Sequence, residues 1–411
     1  MKKKNCDKKN RMKVLLINYG PKPLPATKGG GVETLIEEFY INYTAKIDLS
    51  VASYYYDDAF RLSKEVENVN FIYVHQNWRF KISQVVRYII NKYSKKYYGN
   101  AFIVKLRKKI NFNDYDIIVS ENGINMGMYL EKYFDGKIVL HLHNDFLNIY
   151  TKNSQRIKES YDQIWTLSKF VKNRVETVSG NTITKTLYNG VDLNAFSKQN
   201  IKSSRNVLRR KYGIHENDVV FAYCGRLVEE KGVQFLVRSF NKLSKKWNNI
   251  WLLIIGDNSD KNIFIEELTD MANERVIFTG YVSHDKMPEM MSCADVGVAP
   301  TVHLNKYFDK DNNYCGIIEG FNLTVIEFMG LGKPVIVTDS GGMPELLSDD
   351  TGMIIDSNEN NIQDGLLVSM ETIIEEKFQF DSEKIVERAR NFSLERYVDT
   401  FERYLEDVYE N

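Results

Sequence analysis

The chain has 411 residues, too many for one ordinary core and suited to two domains of roughly 200 each. Apolar residues make up 43% of it, enough to fill such cores, and 55 basic residues balance 55 acidic ones. Four scattered cysteines (Cys6, Cys224, Cys293, Cys315), with no CxxC pair and no histidine at ligand spacing, argue against a disulfide scaffold or a zinc site and for a reducing compartment.

In chain order, residues 1–13 carry several lysines, but the apolar run Val14-Leu-Leu-Ile17 is too short for a signal-peptide core and stops at Asn18-Tyr-Gly-Pro. It reads as the first buried strand. Further strand-like runs follow at Asp48–Ser53, Asn70–Val74, Ile117–Ser120, Lys137–Leu142, Gln163–Thr166 and Thr184–Leu187. A second series restarts with Val219–Cys224, Trp251–Ile255, Val276–Phe278, Val296–Ala299, Val335–Thr338 and Gly352–Ile355. Amphipathic helical stretches alternate with these runs, which predicts an α/β protein with two parallel sheets and helices on both faces. The seam is expected in the polar stretch 193–206. No run reaches the ~20 apolar residues that span a bilayer, so the protein is expected in the cytoplasm, either free or seated on the inner face of the membrane.

From Arg79 to Asn113 there are ten basic residues and no acidic one, with Tyr88, Tyr93, Tyr97, Tyr98 and Phe102 interleaved. One reading is a pair of solvated helices. The sharper one is an interfacial patch, with cations drawn to anionic headgroups and rings at the boundary. No nucleic-acid recognition motif accompanies the patch, and no nucleic-acid partner is expected.

The densest chemistry lies at Glu319 and Glu327, which bracket Gly-Phe-Asn-Leu-Thr-Val-Ile. The Gly320-Phe-Asn turn leads to Thr324, read as the cap of a helix beginning near Val325, with Glu327 in its first turn. Amides at such a terminus hold an anion such as a diphosphate, while carboxylates accept hydrogen bonds from sugar hydroxyls. The plainer reading is a solvated acidic cap. Arg226 follows a strand and Lys231 falls where the next helix should begin, so both are placed at the carboxyl ends of parallel strands, where such sheets bind ligands. His141 and His143, in Val139-Leu-His-Leu-His-Asn-Asp145, share one face of a strand end. Leu394, Tyr397, Val398, Phe401, Tyr404, Leu405 and Val408 recur at helical spacing after Ser393, predicting a C-terminal helix.

The Glu319–Glu327 stretch resembles the E-x7-E signature of retaining family 4 glycosyltransferases, which have the GT-B fold of two Rossmann-like domains about a cleft. The resemblance runs in order through Gly29-Gly-Gly-Val-Glu33, Asn189-Gly-Val-Asp192, Gly225-Arg-Leu227 with Lys231-Gly232, Ile254-Ile-Gly-Asp257, Val276-Ile-Phe-Thr-Gly280, Ala294-Asp-Val-Gly-Val-Ala-Pro300 and Gly341-Gly-Met-Pro-Glu345. It implies one domain of residues 1–195 with the returning helix 393–411, and a nucleotide-sugar domain of 205–392. It implies that Arg226 and Lys231 hold the donor diphosphate, that Glu319 contacts the donor sugar and that Glu327 contacts the ribose. The amides of Phe321, Asn322 and Leu323 would face the sugar and phosphate, Thr324 beside them would belong to the same binding site, and the Gly30-Gly31 backbone would approach the diphosphate. His143, nearer the loop, is preferred to His141 for placing the sugar.

What the resemblance implies is retaining transfer of a hexose from a UDP- or GDP-sugar to a saccharide acceptor, lipid-linked, with no cofactor and no metal. Asp309-Lys-Asp311 matches a metal-binding D-x-D, but in a polar loop instead of after a buried strand. A soluble acceptor, or a non-catalytic partner-binding or glycan-binding protein, is the alternative. Two departures stand out: the long step Thr301–Ile318 (acceptor lid, partner contact or plain insertion), and Asn322 where the family commonly has Gly.

Overall fold

The computed structural model describes residues 11–410 apart from positions 29, 45, 95, 258–262, 309–313, 315, 317 and 376–379, and apart from the side chains of 198–204. Cys6, Gly29, Lys95, Cys315 and the Asp309–Asp311 motif lie outside the described residues.

The chain forms two compact units. One holds the described residues up to Gly190 together with Leu394 onward, and the other runs Val191–Ser393. The first carries seven parallel strands: β1 Met12–Asn18, β2 Ile47–Tyr54, β3 Val69–Val74, β4 Ile117–Glu121, β5 Lys137–Leu142, β6 Gln163–Thr166 and β7 Ile183–Thr186, in the order β3-β2-β1-β4-β5-β6-β7. The second carries six: β8 Val219–Cys224, β9 Ile250–Ile255, β10 Val276–Gly280, β11 Val296–Ala299, β12 Val335–Thr338 and β13 Gly352–Ile355, in the order β10-β9-β8-β11-β12-β13. Both orders reverse direction beside their first strand. That is the doubly wound arrangement in which ligands bind beyond the strands' carboxyl ends. Central strands are apolar on both faces because helices cover both; Val14, Leu15, Leu16 and Ile17 of β1 are all buried.

The last helix, Leu394–Glu410, belongs to the first unit. Its buried residues Leu394, Tyr397, Val398, Phe401, Leu405 and Val408 join the core formed by β1, β2 and the helix Gly31–Asn42. Phe401 stacks on Phe39 at 4.0 Å and meets Trp165 edge-on at 5.1 Å. Tyr404 donates its hydroxyl to the Thr186 carbonyl, and Lys185 pairs with Asp407 at 2.9 Å. Phe401→Ala should therefore cost about 3–5 kcal/mol, read as a lower urea midpoint. A loss under about 1 kcal/mol would mean that the helix is not part of that core.

The polar stretch 193–206 is not an open seam. The units exchange at Gly190/Val191, and most of the stretch lies in a helix, Lys198–Lys211. Arg205 and Arg209 tie that helix to Asp295 at 2.6 and 2.5 Å. Its composition is polar because it is a surface helix held by ion pairs. No helix among the described residues is long and apolar enough to cross a membrane.

Candidate active site

In the second unit, β8 ends at Cys224 and the chain turns through Gly225 and Arg226. Lys231 closes a short 3-10 turn, and Gly232 then starts the helix Val233–Leu243. Gly232 has φ +71°, and a Cβ there would sit 1.8 Å from the Pro300 carbonyl oxygen, so any side chain would push Lys231 out of place. Gly341 plays the same part for Glu319. It has φ +60°, a Cβ would lie 2.2 Å from the Glu319 carbonyl oxygen, and the neighbouring Gly342 amide donates to that oxygen.

A cavity of about 150 Å³ gathers Gly225, Arg226, Lys231, Thr301, Asn322 and Thr324. The Lys231 ammonium pairs with the Glu319 carboxylate. Arg226 is exposed at the cavity, and among the described residues no carboxylate pairs with its guanidinium. The cavity thus has one cation held by a carboxylate and one free.

The signature helix runs Leu323–Gly330, two residues earlier than the sequence suggests. Its cap is Asn322, not Thr324: the Asn322 side-chain oxygen accepts from the Thr324 amide at 3.1 Å, and the Thr324 hydroxyl donates to it at 2.8 Å. An asparagine in extended backbone reaches the amide two residues on, whereas Thr324 already has helical neighbours. Asn322 has φ −127° and ψ 104°, a conformation open to any residue, so the turn does not need the family's glycine. Glu327 accordingly falls in the second turn. It is only 7% exposed, and among the described residues its carboxylate has no hydrogen-bond or ion-pair partner. Burial pushes its carboxyl up to about 7. Phe321 is buried, with its ring edge on Phe392 at 5.8 Å.

The first unit contributes a separate polar cluster. His141 lies opposite Glu121 in the β4–β5 register, and His143 follows the end of β5. One Glu121 oxygen accepts from His143 Nε2 at 2.7 Å. His141 Nδ1 is 2.9 Å from the same oxygen but outside hydrogen-bond geometry. All three side chains are buried, as is the Tyr397 hydroxyl of the last helix; among the described residues Glu121 Oε1, His143 Nδ1, His141 Nε2 and that hydroxyl have no hydrogen-bond partner. Burial drives the His143 imidazole well below the ordinary histidine value, with the neighbouring His141 adding to the effect. Burial alone would raise Glu121, but the two imidazoles outweigh it and hold the carboxyl down. A carboxylate only accepts, so neutral His143 carries its proton on Nε2 and leaves Nδ1 as an acceptor. The ligand atoms of Glu121, His141 and His143 lie within 4.8 Å of one another, close enough to hold a metal ion, although the Glu121–His143 bond already engages one of each residue's atoms.

Gly30 precedes the helix Gly31–Asn42 after β1, and Glu33 falls in that helix's first turn, buried, with burial raising its carboxyl. The long step after Pro300 is partly anchored: Tyr307 donates to Glu230 at 3.1 Å, Lys306 pairs with Glu229, and Tyr314 stacks on His303 at 4.2 Å. Sequence reasoning missed Glu121. Its signal was an acid at the carboxyl end of a buried parallel strand, before Asn122-Gly123.

The profile of the family described as Glycosyl transferases group 1 matches residues 204–392, and that of Glycosyltransferase Family 4 matches 29–195. YtcC of Bacillus subtilis is 27% identical over 363 residues, covering 84% of this chain and 80% of that protein. The lipopolysaccharide 1,2-N-acetylglucosaminetransferase of Salmonella typhimurium is 24% identical over 256 residues, 60% of this chain and 61% of its own. Among solved structures, Anabaena HepE in complex with UDP-glucose superposes with a TM-score of 0.70 at 17% identity, over 97% of this chain and 100% of that one, a likeness of fold. Two family profiles in tandem, each on one doubly wound unit, settle the assignment: the chain belongs to glycosyltransferase family 4 and is a GT-B glycosyltransferase acting with nucleotide sugars.

Proposed function

We propose that the chain is a retaining, metal-independent hexosyltransferase that moves a sugar from a UDP- or GDP-linked donor to a lipid-linked saccharide at the inner face of the membrane, in polysaccharide or glycoconjugate synthesis. The observation that carries this reading is the second-unit cavity, where Arg226, Lys231 and the start of the signature helix meet beside Glu319. As the bond between the anomeric carbon and the diphosphate breaks, negative charge grows on the leaving oxygen. Two cations and the amide of Leu323 oppose that charge more strongly in the transition state than in the ground state. Glu319 accepts from sugar hydroxyls and Glu327 from the ribose. Retention follows same-face attack: the acceptor oxygen bonds the anomeric carbon as the diphosphate leaves, and its proton passes to the leaving phosphate oxygen. His143, with Nδ1 free to accept, places the sugar.

The first unit supports a membrane-side acceptor. Helix Trp78–Tyr93 buries only Phe80. Along one face it exposes Trp78 (66%), Ile82 (54%), Val85 (60%) and Ile89 (49%), flanked by Arg79 and Lys81. An apolar stripe with cations on its borders is the pattern of an interfacial helix. The basic stretch is narrower than its sequence suggests, because Lys105 and Lys109 donate to the carbonyls of His75 and Tyr73 at 2.8 and 2.6 Å. Val85→Asp with Ile89→Asp should lower co-sedimentation with phosphatidylglycerol vesicles more than tenfold, since each buried side chain is worth about 1.5–3 kcal/mol. Unchanged sedimentation would remove the membrane from the account. For the donor, a thermal-shift panel of nucleotide sugars should pick out one base and hexose. The right donor at 100 times its dissociation constant adds about 2.7 kcal/mol.

A further inference from the structure

The polar cluster at the ends of β4 and β5 holds more lone pairs than protons. Glu121 and His141 are register partners on adjacent strands, and His143, two residues on, returns to the same face. His143 Nε2 and His141 Nδ1 converge on one Glu121 oxygen, at 2.7 and 2.9 Å. None of the three side chains is more than 5% exposed. Among the described residues one hydrogen bond, from His143 Nε2 to Glu121, joins them. Glu121 Oε1, His143 Nδ1 and both nitrogens of His141 are left over. Tyr397 of the last helix adds a buried hydroxyl in the same condition, its ring stacked on that of His141 at 6.5 Å and 24°. Among the described residues no lysine or arginine pairs with Glu121, whose neighbours at ion-pair distance are the two imidazoles. Buried charges in proteins are either paired or hold a metal.

The chemistry of the donors narrows what could sit among them. A water molecule brings two protons but also lone pairs of its own, so the excess of acceptors stays. Magnesium or calcium would want about six or more oxygens, and this cluster offers one carboxylate. Zinc takes four ligands, and imidazole nitrogens with a carboxylate oxygen are an ordinary set for it. The ligand atoms of Glu121, His141 and His143 already lie within 4.8 Å of one another. Ligands of a tetrahedral zinc stand about 3.3 Å apart, so the two rings need to draw back from Glu121 by only about half an ångström.

We propose that Glu121, His141 and His143 form a zinc site that pins the ends of β4 and β5 inside the first unit, with the Tyr397 hydroxyl or a water as fourth ligand. The ion takes no part in sugar transfer, so the proposal stands apart from the transferase reading. Metal on His143 Nε2 replaces the hydrogen bond to Glu121 and leaves the ring proton on Nδ1. That nitrogen then donates to a sugar hydroxyl instead of accepting from one, and a hydroxyl serves in either sense.

Metal analysis of the full chain, stripped with a chelator and then dialysed against zinc, should find one zinc ion per chain. Loading should raise the thermal midpoint by about 5 °C or more. X-ray absorption at the zinc edge should show two imidazole nitrogens and carboxylate oxygen at about 2.0–2.2 Å, with no sulfur. His141→Gln and Glu121→Gln should each weaken zinc binding by about a hundredfold or more, with circular dichroism checking that the variants are folded. A parent that holds no zinc, or whose midpoint zinc leaves unmoved, would mean that water fills the cluster and would overturn the site. Zinc retained by folded His141→Gln at the parent's affinity would place the ion elsewhere and overturn it too. Should a variant fail to fold, the absorption spectrum of the parent decides alone: a sulfur ligand, or fewer than two imidazoles, would refute the assignment.

Discussion

Glu319→Gln should leave nucleotide affinity close to the parent's while sugar transfer falls about 10²–10³-fold, the usual cost of removing one group aimed at the reacting centre. Lys231→Ala should lower both. The ion pair between these side chains makes the comparison sharper than either variant alone. Lys231→Ala removes a cation from the diphosphate and also strands the Glu319 carboxylate, mostly buried, where it repels the incoming phosphate. Combining the two substitutions removes that stranded charge. The double variant should therefore bind UDP or GDP more tightly than Lys231→Ala alone, with a coupling of about 0.5–3 kcal/mol. Arg226→Ala is the control, since among the described residues its guanidinium has no carboxylate partner to strand: donor affinity should fall with the urea midpoint unmoved. Strictly additive effects of Lys231→Ala and Glu319→Gln would refute a shared site, and full transfer activity in Glu319→Gln would refute its role.

The strands were the most legible part of the chain. β5, β6, β8, β11, β12 and β13 follow the expected bounds because each is a short apolar run stopped by turn residues. The placement of two second-unit cations was legible for a related reason: Arg226 lies just beyond the end of β8 and Lys231 just before the next helix, where local spacing says where a side chain sits. The cap at Asn322 was not, since Asn and Thr both cap helices and only backbone geometry chose between them. Glu121 was passed over, and Tyr397 was read as part of the C-terminal helix's apolar face. Their shared surroundings, with one charge acting on the other's hydroxyl, come from residues far apart in the chain. A cavity of about 720 Å³ in the first unit was the least legible of all. Its walls come from Tyr19, the helix Trp78–Tyr93, the stretch from Ser94 to Asn100, Asn122 to Met128 and Lys152 to Arg156, and no spacing in a sequence joins five such segments.

Glu327→Gln should stabilise the ligand-free protein at pH 8 by about 1–3 kcal/mol and do little at pH 5. The sign follows from the raised carboxyl. With an ordinary value of 4.5 when unfolded and about 7 when buried, the folded chain binds the extra proton between those limits. That contribution is full below pH 4.5 and is lost as the pH rises through 7, where the carboxylate ionises without a partner. Glutamine has the same shape and no charge to desolvate, so the penalty disappears. The nucleotide reverses the balance. On the proposed contact, ribose hydroxyls donate to the ionised carboxylate, so binding would favour the charged form and expel the proton. Titrations of the parent with UDP or GDP at pH 7.5, above the phosphate's own ionisation, should therefore give heats that change with the buffer's ionisation enthalpy. Glu327→Gln should bind more weakly, with heats independent of buffer. A parent whose heat is the same in every buffer, or a variant that binds as tightly as the parent, would mean that the buried carboxylate does not meet the ribose. The stability gain at pH 8 would then be a consequence of burial alone.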